Sequence, residues 1–243
     1  MLTLGIDTSG KVASAALMSE GRLLAEKTLY TKLTHSQIIL PMVQELLSDC
    51  GLELKGLDAV VCAAGPGSYT GLRIGIAAVK GIVMGAPNLK CAAVSTLEAL
   101  AYGAAGFQGR IVPVMYARPQ IVYVGCYESK AGSMTPLAED KVINEAEYFT
   151  SLDLSRPVML TGDRCLEIKQ LYFSGNDNVL TAPAANRLQR ASSLCAAFIA
   201  DPARAVPPAA LEASYLQATK AEKDKAHSHI SEKDVPPPSF VDK

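Results

Sequence analysis

Apolar and polar positions along the first hundred residues change their period several times, and each change predicts an element. LTLGID is apolar, KVASAALMS alternates, and GRLLAEKTLY follows a polar turn, so we predict three strands with a hairpin between the last two. THSQIILPMVQELLSDCG carries an apolar stripe at helical spacing from Thr34 to Gly51, and Pro41 inside it predicts a kink or a late helix start. The continuous apolar run LDAVVCAA is typical of a parallel strand covered on both faces. A helix at residues 68–85, a strand at 90–94 and a helix at 95–104 complete this part.

A second pass begins near Arg110 and repeats the order in a weaker form. RIVPVMYA and QIVYVGCYE predict paired strands, followed by a helix (NEAEYFTSL), a strand (PVMLTGD), a helix (DRCLEIKQLYF), a strand (NVLTA) and a last helix (ANRLQRASSLCAAFIAD). Two tandem β-β-β-α-β-α halves, the second of them eroded, predict an α/β protein with the actin-like ATPase (ASKHA) fold and a ligand cleft between the halves. The predicted units are a first half at residues 1–106, a smaller second half at 107–217, and a charged, proline-containing tail at 218–243 that we expect to be disordered.

Charge and composition narrow the range of functions. The chain has 23 basic and 24 acidic residues among 243, a balance that gives no electrostatic footprint for unaided binding to nucleic acid. The beginning of the chain lacks the pattern of a signal peptide, and no run of about 18 apolar residues occurs, so we predict a cytoplasmic protein without a membrane span. The six cysteines include no CxxC pair, which argues against a zinc site or a disulfide framework.

The glycine-rich stretch VVCAAGPGSYTGLRIGIAAVKGIVMG raises the question of a phosphate-binding loop. Its G-x-G-x-x-x-G spacing is one residue too long for the dinucleotide fingerprint, and the Lys-Ser/Thr ending of a P-loop is missing. The later small residues fall three or four apart and share one helix face. Glycine inside a helix costs about 1 kcal/mol relative to alanine, so this face predicts close packing against another helix, either of this chain or of another protein. The residues of and beside this face are Gly71, Leu72, Gly75, Ala78, Val79 and Ile82.

A second candidate site follows the first strand, at Asp7, Thr8 and Ser9. Actin-like ATPases hold metal and nucleotide at this place, but the same residue types also satisfy backbone donors in a simple strand-end turn. The corresponding motif of the second half, TGDR at residues 161–164, lacks a glycine pair, which argues against ATP turnover by this chain alone.

His35 is the one histidine within a predicted helix. A metal pair on one helix face needs a second histidine four residues later, where this chain has Ile39. We therefore predict no metal site and interpret His35 as a helix-start residue.

Four segments together resemble the TsaB (YeaZ) family over roughly residues 1–222: LGIDTS, HSQIILPMV, DAVVCAAGPGSYTGLRIGIAAVKGI and LEASYLQATKAEK. This resemblance implies a non-catalytic scaffold subunit, without a cofactor, that is required to form N6-threonylcarbamoyladenosine at position 37 of tRNA. It implies binding and activation of the catalytic subunit TsaD, a ternary complex with TsaE, a supply of threonylcarbamoyl-adenylate by TsaC, and access to tRNA through the complex. Without TsaD, we expect a homodimer. The absent metal pair implies an inactive relative of the M22 peptidases.

The resemblance places the TsaD contact on the helices of the first half, at residues 36–48 and 69–84. The residues expected to bind TsaD are Ile39, Met42, Leu46, Gly71, Leu72, Gly75, Ala78, Val79 and Ile82. The substitution Gly75→Leu is expected to abolish the heterodimer and to leave the chain folded. The Asp7–Ser9 segment becomes a vestigial nucleotide cleft on this interpretation.

Two positions depart from the family pattern, and a rival function remains. Tyr116 stands where an acidic residue is usual, and Gln217 stands in place of an arginine. The rival hypothesis is an independent actin-like ATPase or small-molecule kinase that uses Asp7, Thr8 and Ser9. ATP hydrolysis, or a nucleotide-dependent rise in melting temperature, would distinguish it from the scaffold subunit.

Overall fold

The computed structural model describes residues 1–216 as two five-stranded sheets with helices; Gln217 and the predicted tail lie outside the described residues. The first sheet contains strands β1 to β5, at Leu2–Asp7, Ala13–Ser19, Arg22–Leu29, Ala59–Gly65 and Lys90–Ser95. The second contains β6 to β10, at Gly109–Arg118, Ile121–Lys130, Ser133–Asn144, Val158–Thr161 and Val179–Thr181. The helices α1 to α6 span His35–Asp49, Tyr69–Gly85, Thr96–Gly103, Glu145–Thr150, Cys165–Tyr172 and Ala191–Ala200.

The two sheets repeat one topology. The first has the strand order β3-β2-β1-β4-β5, and the second has the equivalent order β8-β7-β6-β9-β10. In each sheet the first strand of the half runs antiparallel to the second and parallel to the fourth. This duplication confirms the predicted actin-like ATPase fold.

The strand β8 was missed by sequence reasoning, and the second half is not eroded. Its sequence, SMTPLAEDKVIN, is polar, and most of its residues are exposed because β8 is an edge strand. An apolar run or a strict alternation is what reveals a strand in a sequence, and β8 has neither. The second half therefore contains every strand of the first.

The helices form three layers around the sheets. α1 and α2 pack on one face of the first sheet, α6 packs on its other face, and α3 packs on the second sheet and against α6. α4 and α5 pack on strands of the second sheet. α6, which we assigned to the second half, thus completes the first, because its apolar sequence ASSLCAAFIA is buried against β1 and β2. It begins at Ala191, later than predicted.

The two helices α1 and α2 have well-defined beginnings. Thr34 precedes α1, and its backbone N–H donates to the Gln37 side chain at 3.1 Å, which forms half of a capping box. The helix begins at His35 with Pro41 inside it, so the late start is wrong. Ser68 precedes α2, and its hydroxyl accepts from the Gly71 N–H at 3.2 Å.

Candidate functional site: the interior cleft and the outer helices of the first half

The turn that follows β1 is folded into the protein interior. Asp7, Thr8 and Ser9 are all buried. The Ser9 backbone N–H and hydroxyl donate to Asp7 Oδ1 at 2.9 and 2.6 Å, while Asp7 Oδ2 has no hydrogen-bond partner among the described residues. Burial raises the pKa of the Asp7 carboxyl, against the opposing effect of the hydrogen bonds from Ser9. The segment therefore has the geometry of a strand-end turn in which Ser9 binds Asp7 Oδ1, while Asp7 Oδ2 is buried without a partner among the described residues.

The beginning of α2 packs directly on this turn. The Thr8 hydroxyl donates to the Gly71 carbonyl at 2.7 Å. A Cβ atom at Gly71 would lie 2.0 Å from the Thr8 carbonyl oxygen, and one at Gly75 would lie 2.7 Å from Thr8 Oγ1. A Cβ at Gly67 would lie 2.4 Å from the Ser9 carbonyl oxygen. These glycines therefore let α2 approach the turn after β1.

This contact corrects both of our interpretations of the glycine face. Gly71 and Gly75 face neither another helix of the chain nor another protein, because Thr8 occupies the space in front of them. That Gly75→Leu leaves the chain folded stays a prediction, and the contact with Thr8 adds a stability cost that the sequence did not indicate. The small residues nearer the end of α2 differ, since a Cβ at Gly81 or Gly85 would meet no atom within 4 Å.

Side chains of the chain itself also close the space between the halves beside this turn. Gln189 is buried, and a Cβ at Gly10 would lie 2.4 Å from its Oε1. Lys11 of the first half forms an ion pair with Asp163 of the second, 3.4 Å from Nζ to Oδ2. Asp163, which belongs to the TGDR motif, also accepts the backbone N–H of Tyr116 at 2.9 Å. The predicted nucleotide cleft is thus spanned by the Lys11–Asp163 ion pair, and the Gln189 side chain lies beside Gly10.

Sequence reasoning missed Lys11, Gln189 and the pairing role of Asp163. Lys11 and Gln189 lie between the regular elements, so no helical or strand period marks them. Lys11 and its partner Asp163 are also far apart in the sequence, so no short motif contains both. The Gly-Lys pair after Ser9 was the one available signal, because a glycine beside a strand-end turn marks a close approach.

His35 begins α1, as predicted, and contacts the same turn. Its Nδ1 lies 3.1 Å from the Thr8 carbonyl oxygen. Ile39, four residues later in α1, is buried in the core. Residues 1–216 contain no group of three or more His, Cys, Asp or Glu side chains placed to hold a metal ion.

Most of the residues that we expected to bind TsaD point inward. Seven of them are buried within the first half: Ile39, Met42, Leu46, Gly71, Leu72, Gly75 and Val79. Ala78 and Ile82 are partly exposed. An amphipathic helix turns its apolar stripe toward its own sheet, so choosing the apolar positions selected the core.

The outward faces of α1 and α2 carry a different set of residues. An apolar groove of about 560 Å³ lies beside α1, lined mainly by residues of α1 and of the segment 52–55, with Ile82 of α2; its apolar residues include Leu40, Val43, Leu47 and Leu54. Along α2, five exposed residues at spacings of three or four form a single face, which we call the α2 stripe. The residues of the α2 stripe are Tyr69, Arg73, Ala77, Gly81 and Met84. Met84 is 78% exposed and Leu40 is 50% exposed, so large apolar side chains lie at the surface here.

No helix among the described residues is long and apolar enough to cross a membrane.

Comparisons with known proteins identify relatives of this chain. Residues 23–239 match the model of the family described as TsaD: tRNA N6-adenosine threonylcarbamoyltransferase. The Bacillus subtilis tRNA threonylcarbamoyladenosine biosynthesis protein TsaB is 34% identical over 224 residues, which cover 91% of this chain and 96% of that protein. A Pseudomonas aeruginosa protein described as similar to peptidase YeaZ is 29% identical, with a TM-score of 0.76, over 89% of this chain and 99% of that one.

A more distant structure supports the fold alone. The ethanolamine utilization protein EutJ of Carboxydothermus hydrogenoformans is 15% identical and has a TM-score of 0.51, over 82% of this chain and 90% of that one. The Bacillus relative spans most of the chain and confirms the TsaB resemblance seen in the four sequence segments, while the family model, described as TsaD, covers a similar span. On this evidence, the chain belongs to the TsaB (YeaZ) family of tRNA threonylcarbamoyladenosine biosynthesis proteins.

Proposed function

We propose that this chain is a non-catalytic subunit of a tRNA threonylcarbamoyl transferase, and that it binds and activates TsaD through the outer faces of α1 and α2. The observation that carries the proposal is a contrast between two surfaces of one half. The cleft side of α2 packs against the turn of Asp7, Thr8 and Ser9. The outer surface of the same half presents Met84 of α2 and the groove beside Leu40 of α1. Exposed apolar surface of this kind marks a protein-binding site more often than a catalytic one.

We extend the proposal to the remaining partners that the family resemblance implies. TsaE joins the pair of subunits, TsaC supplies threonylcarbamoyl-adenylate, and tRNA is reached through the complex. The near-neutral charge of the chain supports this last point, since it offers little cationic surface of its own. When TsaD is absent, the same outer face pairs two copies of the chain.

The test is light scattering after size-exclusion chromatography of the full chain mixed with its cognate TsaD. A mass equal to one copy of each chain is expected at about ten-micromolar loading, the concentration range of many reversible complexes. Separate peaks would reject the scaffold function.

A matched pair of substitutions tests the assigned face. Met84 lies in the last turn of α2, and Leu171 lies in the last turn of α5 with 61% of its side chain exposed. Lysine is tolerated at the end of a helix, so Met84→Lys and Leu171→Lys should both fold. Met84→Lys is expected to raise the Kd for TsaD about thirtyfold, a hot-spot loss of about 2 kcal/mol, and Leu171→Lys is expected to leave it unchanged. Equal affinity of both variants would move the contact to another surface.

The rival ATPase function is tested by adding ATP and Mg²⁺ to the chain alone. Because Lys11 is paired with Asp163 and Gln189 fills the space beside Gly10, we expect neither hydrolysis nor a rise in melting temperature. Hydrolysis that Asp7→Ala abolishes would support the ATPase instead.

A further inference from the structure

The last described residues return to the first half and run past the beginning of α2. Val206 forms a bridge with Cys91 of β5. Leu211 is buried in the core beneath α1 and α2. The Ser214 N–H donates to the Ala64 carbonyl of β4 at 2.8 Å. Residues 206–216, which we call the C-terminal strap, are therefore anchored to the first half along their length.

Gly65 is the residue that lets the strap pass. Its φ of +116° lies in a region that side-chain-bearing residues rarely adopt. A Cβ atom there would also lie 2.5 Å from the Ser214 carbonyl oxygen. Gly65 thus makes room for the strap, whereas Gly71 and Gly75 make room for the turn after β1.

Tyr215 brings the strap onto the outer face of α2. Its ring centroid lies 5.1 Å from that of Tyr69, with the planes tilted by 35°. The Arg73 guanidinium carbon lies 4.0 Å from the Tyr69 ring centroid, and Arg73 Nε donates to the Tyr215 hydroxyl at 3.3 Å. Tyr69 and Arg73 are the first two residues of the α2 stripe, so Tyr215 extends that stripe from a different part of the chain. Tyr69 and Tyr215 remain 40% and 39% exposed.

We propose that the C-terminal strap completes the TsaD-binding face, with Tyr215 holding Tyr69 and Arg73 in place and itself touching TsaD. This inference rests on the proposed function, because it adds residues to the face proposed there. Tyrosine rings bury a large area with few rotatable bonds, and for that reason they carry much of the binding energy at protein interfaces. Side chains that are already ordered in the free chain also lose less freedom on binding. The exposed rings at the start of α2 combine both properties.

The test is calorimetric titration of cognate TsaD into the full chain and its variants. Tyr215→Ala is expected to raise the Kd about tenfold, the effect of losing about 1.4 kcal/mol. Tyr215→Phe keeps the ring and loses the contact between the hydroxyl and Arg73, so its increase should be smaller, about threefold. Tyr116→Ala is the matched control, because Tyr116 is 48% exposed and lies on β6 of the second half; its Kd should equal that of the wild type.

Two further variants separate failure of the strap from failure of the proposed function. If Tyr215→Ala binds TsaD as tightly as the wild type while Met84→Lys binds weakly, the strap inference is overturned and the proposed face stands. If neither substitution weakens binding, both are overturned. Should Tyr215→Ala unfold the chain, Tyr69→Ala decides, since it removes the partner ring without altering the strap. An unchanged Kd for Tyr69→Ala would then overturn the inference.

Discussion

Alanine at two glycines of the same helix should change stability in opposite directions. Gly71 and Gly81 both lie within α2. Because glycine destabilises a helix by about 1 kcal/mol relative to alanine, replacing either one by alanine should stabilise the helix by the same amount. At Gly81 nothing lies within 4 Å of the new Cβ, so the full increase in the free energy of unfolding is expected. At Gly71 the Cβ would lie 2.0 Å from the Thr8 carbonyl oxygen, so α2 or the turn must move.

The cost at Gly71 can be worked from these contacts. Overpacking in a closed site costs about 1–3 kcal/mol, and a shift of α2 also weakens the hydrogen bond from Thr8 to Gly71, worth about 1 kcal/mol. After the helix gain of about 1 kcal/mol is subtracted, Gly71→Ala should lower the free energy of unfolding by about 1–3 kcal/mol. A change of 1 kcal/mol moves the melting temperature of a chain this size by about 2–4 °C. Gly81→Ala should therefore melt about 2–4 °C higher than the wild type, and Gly71→Ala several degrees lower.

Thermal unfolding followed by circular dichroism measures both shifts. The melts are repeated over a range of protein concentrations, because Gly81 lies on the α2 stripe and self-association would make the melting temperature depend on concentration. Shifts of the same sign for both variants, or a wild-type melting temperature for Gly71→Ala, would refute the claim that Gly71 is required by the contact with Thr8.

Two further predictions concern buried charges. The pKa of Asp7 is raised above its ordinary value of 3.8, so its contribution to stability is fully present below that pH and is lost as the pH rises through the folded-state pKa. The melting temperature of Asp7→Asn should therefore be close to that of the wild type near pH 3.8 and higher than that of the wild type at neutral pH. A higher melting temperature for the wild type at neutral pH would contradict this prediction. Glu26 has a side chain only 4% exposed that accepts from Arg190 Nε at 2.9 Å and from the Ser192 hydroxyl at 2.7 Å. Arg190→Ala should lower the free energy of unfolding, measured by urea titration, by about 3 kcal/mol, because it leaves a buried carboxylate without its cation. Adding Glu26→Gln to Arg190→Ala should recover part of this loss, and no recovery would point to another cause.

The strands show how far the sequence could predict the fold. β1 and β4 were predicted because both of their faces are covered, which forces continuous apolar runs. β8 could not be predicted from its own residues, because an edge strand with exposed side chains has no period to detect. The repeat of the first half was the better guide: three strands before the first helix there imply a third strand between Lys130 and Asn144.

The site was harder to predict than the fold, because a sequence gives the spacing of residues and not what lies opposite them. The three-and-four spacing of Gly71 and Gly75 correctly indicated one helix face that needs close approach. The group that approaches is Thr8, which lies 63 residues from Gly71 along the chain. For the same reason, apolar spacing on α1 identified Met42 and Leu46, which are buried in the core. The exposed α2 stripe mixes tyrosine, arginine, alanine, glycine and methionine, a composition without a hydrophobic signature.

The two faces of α2 are physically connected in this chain. Its inner face is held by contacts between the helix glycines and Thr8, and its beginning is held by the strap through Gly65 and Tyr215. Such contacts leave little room for α2 to shift without losing packing. A partner that binds the α2 stripe therefore meets a surface that is already ordered, and less of the interaction free energy is spent on ordering it. The turn after β1 thus fixes α2 in place, which is what the proposed TsaD-binding face requires.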